Sequence, residues 1–152
     1  MLCALEVKTC YSILSSLNRI DILTKKAKEM GYSSLAITDL NNMFGVYEFY
    51  LACLNNDIKP IIGMEVKTNQ DNFILIAKNN NGYRNLIKIA TIISDREITF
   101  DDLKIYSKDI ILIIPYISYN EKITNFFDEY IVNRLKGNML LSFKVNEKNN
   151  QK

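Results

Sequence analysis

Five residues in the first half of the chain stand where a parallel α/β fold puts its chemistry. Short apolar runs at residues 2–7, 35–38 and 60–67 read as strands, and reactive groups in such folds gather at the C-terminal strand ends, where loops converge. Glu6 and Lys8 end the first run, Asp39 and Leu40 end the second, and Glu65 lies in the third. Glu6, Asp39 and Glu65 together offer a set of hard oxygen ligands of the kind that holds Mg²⁺ or Mn²⁺. Lys8 opposes that chemistry, because its ammonium brings positive charge to the place a cation would occupy. Set among the three carboxylates, it would instead neutralise them and hold three loops together without metal. A third reading leaves Glu6 and Lys8 as solvated strand-end residues. Leu40 donates nothing under any of the three.

The rest of the composition narrows the chemistry further. Histidine is absent, which removes the ordinary base that activates a Ser, Cys or Thr nucleophile and leaves hydrolysis without an evident general base. Cys3, Cys10 and Cys53 are odd in number and form no C-x-x-C pair, so neither a zinc cage nor a disulfide framework is expected, only reduced thiols partly buried in a core. Neither a Walker-type loop nor a dinucleotide fingerprint occurs. Lys25, Lys26 and Lys28 read as a solvated helix face. Tyr83, Tyr106, Tyr116, Tyr119 and Tyr130 are scattered, and give no base-stacking platform. Nineteen basic against seventeen acidic side chains leave a net charge of +2, too even to mark a nucleic-acid surface.

The elements that must position these residues alternate short apolar runs with amphipathic segments, the βαβα pattern of a mainly parallel sheet. Leu2 to Val7 is the first strand. Asn18 is placed to cap a helix over 19–30, with Ile20, Leu23, Ala27 and Met30 at helical spacing and Gly31 as its stop. A strand over 35–38 is followed by a turn at Asn41–Gly45, where Gly45 sits at a point a larger side chain would crowd. The helix over 44–55 is expected to turn Tyr47, Tyr50, Leu51 and Leu54 inward. A strand over 60–67, a polar turn at 69–72 and a strand over 73–77 suggest a hairpin interrupting the parallel pattern. A helix over 82–94 faces Leu86, Ile89, Ala90 and Ile93 inward. Thr99 to Asp102 forms a capping box. A β-branched strand over 110–114, a helix near 121–135 and a strand near 139–145 complete the series, and 146–152 is a polar, frayed tail.

With 152 residues, 48% of them hydrophobic, the chain has room for one domain with a real core. Its first residues lack the layout of a signal peptide, and its longest apolar run is far short of a membrane span, so a cytoplasmic location without membrane contact is expected.

The blocks Ser34-Leu35-Ala36-Ile37-Thr38-Asp39-Leu40, Asn42-Met43-Phe44-Gly45 and Ile58-Lys59-Pro60-Ile61-Ile62-Gly63-Met64-Glu65 resemble a known family. So do Tyr11-Ser12-Ile13-Leu14 upstream, and Ala77-Lys78-Asn79 with Gly82-Tyr83 downstream. The family is the PHP (polymerase and histidinol phosphatase) domain, in the form that opens bacterial DNA polymerase III alpha subunits. The resemblance runs from about Leu2 to Tyr116 and implies an α/β fold of (β/α)7-barrel type, here incomplete at its C-terminal side. The domain would occupy 1–145 as the N-terminal portion of a longer polymerase chain.

Metal-binding members of that family carry a His-x-His pair on the first strand, Asp-His at the end of the second and a Glu on the third. Asp39 and Glu65 agree with that pattern; Glu6, Lys8 and Leu40 stand where histidines would be. The resemblance therefore implies a degenerate metal site with no resident cofactor, in a non-catalytic scaffold and docking domain of the replication machinery. Its partners would be the remainder of the polymerase chain and a proofreading exonuclease or other replisome proteins, with DNA met only through the parent polymerase. The nucleotidyltransferase aspartates of that parent would lie beyond Lys152. The alternative is a metal-dependent phosphoesterase or exonuclease of the same family, with Mg²⁺ or Mn²⁺ on Glu6, Asp39 and Glu65.

Overall fold

The computed structural model describes residues 2–68, 72–115 and 139–142. In chain order the elements are β1 (Leu2–Ala4), α1 (Ile20–Glu29), β2 (Tyr32–Leu40), α2 (Val46–Asn55), β3 (Lys59–Lys67), β4 (Asn72–Ala77), α3 (Asn80–Asp95), α4 (Phe100–Tyr106), β5 (Ile110–Pro115) and β6 (Met139–Ser142). The strands form one six-stranded sheet in sequence order. β1, β2 and β3 run parallel, β4 is antiparallel to both of its neighbours, and β5 and β6 are again parallel. The hairpin expected between β3 and β4 is present, with Lys67 opposite Asn72. The residues of its turn, 69–71, fall outside the described ones, as do the helix expected near 121–135 and the tail at 146–152.

Two apolar clusters fill the helix-covered face of the sheet. One joins Ile20 and Ala27 of α1 to Leu35 and Ile37 of β2 and to Val46, Phe49 and Cys53 of α2. The other joins Met64, Val66, Phe73 and Leu75 of the hairpin to Leu86 and Ile89 of α3, Leu103 of α4 and Leu112 and Ile114 of β5. Phe73 and Phe100 meet edge to face with centroids 5.9 Å apart. Ile74, Ile76 and Ile113 form a smaller cluster with Leu5, Ile61 and Ile111 packed against it. Because side chains alternate along a strand, β3 and β4 serve both faces and read as nearly continuous apolar runs.

Several local expectations change. β1 ends at Ala4 rather than Val7. Beyond it the chain still runs beside β2, but the Val7 amide donates to the Thr38 hydroxyl at 2.8 Å instead of to a backbone carbonyl, which breaks the ladder. Asn18 does not cap α1: the cap position is Arg19, without a side-chain bond. Asn18 instead closes the preceding loop, its side-chain amide donating to the Lys8 carbonyl at 3.0 Å while its own carbonyl accepts from the Cys10 amide at 2.9 Å.

On α2 the inner face is Val46, Phe49 and Cys53, whereas Tyr47, Tyr50, Leu51 and Leu54 are exposed. Both sets have helical spacing, so periodicity alone does not choose between them. Burying Phe49 and Cys53 completely, each at 0% exposure, decides the orientation. Burial also pushes the Cys53 thiol up to about 12, so it stays a protonated core residue.

Glycine is required at two close approaches. A Cβ on Gly63 would lie 2.6 Å from the Leu75 carbonyl oxygen across the hairpin, and one on Gly82 would lie 2.1 Å from the Asp109 carbonyl oxygen. Gly82 therefore lets the first turn of α3 rest directly on the chain entering β5.

The capping box at α4 forms as the sequence predicts: the Thr99 hydroxyl accepts from the Asp102 amide, and Asp102 accepts from the Thr99 amide at 2.9 Å. The Arg96 guanidinium adds two bonds to the same carboxylate at 2.7 and 2.8 Å. The hydrogen bond from Arg96 is the largest cause holding the Asp102 carboxyl well below the usual carboxylate range, with the Thr99 donors assisting. A depressed carboxyl stabilises the fold above its unfolded value, near 3.9, and that contribution is lost as pH falls below it. Asp102→Asn is expected to lower stability at neutral pH by about 1 kcal/mol, the size of a lost cap moderated by the solvent around Arg96. Denaturant titrations from pH 7 down to pH 2 should show the gap between variant and wild type closing on the acid side.

Candidate functional site

The loops that follow β1 and β2 meet the end of β3 at one end of the sheet. Leu40 pairs with Glu65 in the β2–β3 register, so the end of β2 and the carboxylate of β3 lie side by side. Asp39 is 1% exposed and Glu65 5%. Burying two carboxylates this close to one strand end is costly unless donors or cations meet them.

Asp39 is met by the loop that follows β1. The Thr9 amide donates to Oδ1 at 2.7 Å, the Thr9 hydroxyl to Oδ2 at 2.6 Å, and the Ser12 hydroxyl to Oδ1 at 2.6 Å. Ser12 Oγ in turn accepts from the Leu40 amide at 3.0 Å, which ties the loop to the strand end on both sides of the carboxylate. Thr9 and Ser12 are themselves buried, at 0% and 1% exposure. Sequence reasoning did not single out either hydroxyl, since nothing in local spacing marks a donor about thirty positions from its acceptor.

Glu65 is met by Lys8, whose Nζ lies 2.7 Å from Oε2, with the lysine side chain 30% exposed and the glutamate side chain 7% exposed. Oε2 takes no hydrogen bond of good angle, so the contact is an ion pair rather than a directed bond. Oε1 accepts from the Asn72 side-chain amide at 3.3 Å. Among the described residues Lys8 thus meets one carboxylate, Glu65, and not a set of three. Glu6 is exposed and forms no ion pair or hydrogen bond with the described residues. Leu40 contributes its backbone alone.

The loop after β2 completes the arrangement. Asn41 has a left-handed backbone, its amide donating to the Glu65 carbonyl and its side-chain oxygen accepting from the Lys67 amide, both at 2.8 Å. Asn42 donates to the carbonyls of Leu40 and Tyr11. The Tyr11 ring packs over Gly45, where a Cβ would come within 2.7 Å of it, so the crowding expected at Gly45 is real. The Tyr11 hydroxyl donates to Glu48 at 2.8 Å, and that bond holds its phenol above the ordinary value.

Oxygen donors for a divalent ion would have to come from Glu6, Asp39 and Glu65. Among the described residues no three His, Cys, Asp or Glu side chains converge at ligand spacing. Both Asp39 oxygens accept hydrogen bonds, and Glu65 faces an ammonium.

The fold is thus a mixed α/β sheet with Asp39, Glu65 and Lys8 at one set of strand ends. The model of the PHP domain matches residues 4–138, and the chain belongs to that family. Within it, the chain is similar to the DNA polymerase III subunit alpha of Halalkalibacterium halodurans, with 39% identity over 74% of this chain and 11% of the relative. The DNA polymerase III subunit alpha of Streptococcus pyogenes serotype M3 is 33% identical over 86% of this chain and 13% of the relative. That of Aquifex aeolicus is 41% identical over 58% and 9%. The chain thus spans about a tenth of the length of the curated relatives it matches. A solved structure from Bifidobacterium adolescentis, provisionally described as a metal-dependent phosphoesterase, shares the fold at a TM-score of 0.50 and 15% identity, over 61% of this chain and 32% of that one. This likeness fits an incomplete PHP barrel. Among the described residues no helix is long and apolar enough to cross a membrane.

Removing the Asp39 carboxylate leaves three buried donors without an acceptor, each costing about 1–3 kcal/mol. Asp39→Ala is expected to destabilise the chain by about 3 kcal/mol or more, and Ser12→Ala by about 1 kcal/mol, as read from urea midpoints.

Proposed function

We propose that this chain is the N-terminal PHP domain of a DNA polymerase III alpha subunit and serves in replication as a non-catalytic scaffold and docking domain. The domain occupies 1–145 in this reading, with the remainder of the polymerase chain as its first partner. A proofreading exonuclease or other replisome proteins are further partners, and DNA is met only through the parent, a cytoplasmic nucleotidyltransferase. The similarity to polymerase alpha subunits over most of the chain supports the setting.

The observations that carry the non-catalytic part are the Lys8–Glu65 ion pair at 2.7 Å and an Asp39 whose oxygens are both engaged. An ammonium stands where a cation would have to bind, and the remaining carboxylate is held by Thr9 and Ser12. Glu6, Asp39 and Glu65 do not fit Mg²⁺ or Mn²⁺ in this arrangement, and no catalytic step is assigned to them. Positions 6, 8, 39, 40 and 65 are read as vestiges of a metal site turned to structural use. The loop after β1 is fastened to the end of β2 through Asp39 and Ser12.

The alternative, a phosphoesterase with a carboxylate-based site, requires Lys8 to leave Glu65 and the hydroxyls to release Asp39. A thermal-unfolding titration with Mn²⁺, Zn²⁺ and Mg²⁺ separates the two. A specifically bound ion at about 100 times its dissociation constant raises stability by roughly 2.7 kcal/mol. The scaffold reading predicts no saturable rise for any of the three metals. A rise that saturates, and that Asp39→Asn abolishes, would assign the site to metal.

A further inference from the structure

Asn81 is the one asparagine in the sequence that is followed by glycine. That pair carries a chemistry of its own. The backbone nitrogen of the following residue can attack the asparagine side-chain carbonyl carbon, Cγ, and glycine, with no side chain, leaves the approach open. A bond forms between that nitrogen and Cγ, closing a succinimide ring. The Cγ–Nδ2 bond breaks, and ammonia leaves with the proton that the backbone nitrogen gives up. Water then opens the ring at either carbonyl, giving aspartate or isoaspartate. Water is the sole co-reactant, and neither oxidant nor reductant is needed.

Packing holds this labile pair in place. Asn81 lies in the first turn of α3, exposed to water, whereas Gly82 is buried. A Cβ at position 82 would meet the Asp109 carbonyl oxygen at 2.1 Å and the Ala77 Cα at 3.2 Å. Both are backbone atoms, and the Asp109 carbonyl is further fixed by accepting from the Lys78 amide at 3.0 Å. The seat of α3 on the chain entering β5 thus demands glycine after Asn81.

The helix cap stands against the reaction. Asn79 Oδ1 accepts from the Asn81 amide at 2.9 Å and from the Gly82 amide at 3.1 Å. Amides in the first turn of a helix have no carbonyl within the helix to bond, so the Asn79 side chain is what engages the attacking nitrogen. Ring closure needs that nitrogen freed and the Asn81 ψ rotated out of the helical range, which brings the Gly82 nitrogen to Cγ. Both changes require the first turn of α3 to open.

We propose that Asn81 is a site of spontaneous covalent modification, amide to aspartate and isoaspartate, and that the Asn79 cap sets its rate by holding the first turn of α3 closed. The isoaspartate product routes the main chain through the former side chain and lengthens it by a methylene between positions 81 and 82. Gly82 then cannot both follow the capped turn and rest on Asp109. The modified chain loses the contact between α3 and the start of β5, and with it stability.

Incubation of the 152-residue chain in mildly alkaline buffer, sampled over weeks and read by peptide mass spectrometry, tests the proposal. Asn79 and Asn80, each followed by asparagine, serve as internal references. In urea, position 81 should convert well ahead of both, and in the folded chain it should convert far more slowly. Folded Asn79→Ala should convert about five-fold faster than folded wild type, the rise in open first turn that loss of a side-chain cap brings. Asn79→Asp keeps a capping oxygen and should stay near the wild-type rate. Asp102→Asn, which weakens the fold at α4, should leave the folded rate unchanged. Converted chain, separated by its added negative charge, should unfold at lower urea than unconverted chain. Equal rates in folded and unfolded wild type would overturn the proposal, as would a folded Asn79→Ala no faster than wild type. So would an acceleration by Asn79→Ala that persists in urea, an equal acceleration in Asp102→Asn, or a converted chain of unchanged stability.

Discussion

A carboxylate buried at the end of β2 has to be satisfied where it lies, and much of the first forty residues is arranged to do so. Asp39 follows Thr38, whose hydroxyl and amide already hold Val7 beside the strand. Two residues further on, Thr9 reaches both Asp39 oxygens, and Ser12 closes the loop against Oδ1. Asn18 closes the same loop on itself through the Lys8 carbonyl and the Cys10 amide, ahead of α1. Hydrogen bonds to a buried charge are among the stronger ones a fold can make, and leaving one unmade is costly. The loop is therefore fixed by chemistry at its base and not by its own propensities.

Glu65 is satisfied differently, by a cation. An ion pair between Lys8 and a nearly buried glutamate is weak evidence for stability, since desolvation offsets much of the attraction. Its consequence is one of occupancy. The ammonium supplies the positive charge that the strand-end carboxylate demands, and a divalent ion brought there would meet repulsion from Lys8. The electrostatic need of that carboxylate is met from within the chain, by Lys8.

Much of this was legible in the sequence, and the failures have physical causes. The β3–β4 hairpin, the inward face of α3 and the capping box at Thr99 follow from short-range pattern, and each is present. The orientation of α2 was misread because two stripes of helical spacing compete on one helix, and only packing against Ile37 and Ile58 selects Phe49 and Cys53. The placement of Asp39 and Glu65 at neighbouring strand ends was readable from the alternation of apolar runs. Their partners were not, because Thr9 and Ser12 lie thirty and twenty-seven positions from Asp39 and look like ordinary loop residues. Lys8 was singled out for its charge, yet its choice of Glu65 alone depends on which way each loop turns, and the sequence leaves that open.

The claim on which the account rests is that Lys8 and Glu65 interact as a pair in place of a metal site. A double-mutant cycle of Lys8→Met and Glu65→Gln, read by urea denaturation in the presence of a chelator, measures that interaction directly. The account predicts a coupling of about 1 kcal/mol or more, within the range of residues in direct contact. Two substitutions whose effects simply add, within about 0.5 kcal/mol, would show that the pair does not act as a unit and would contradict it.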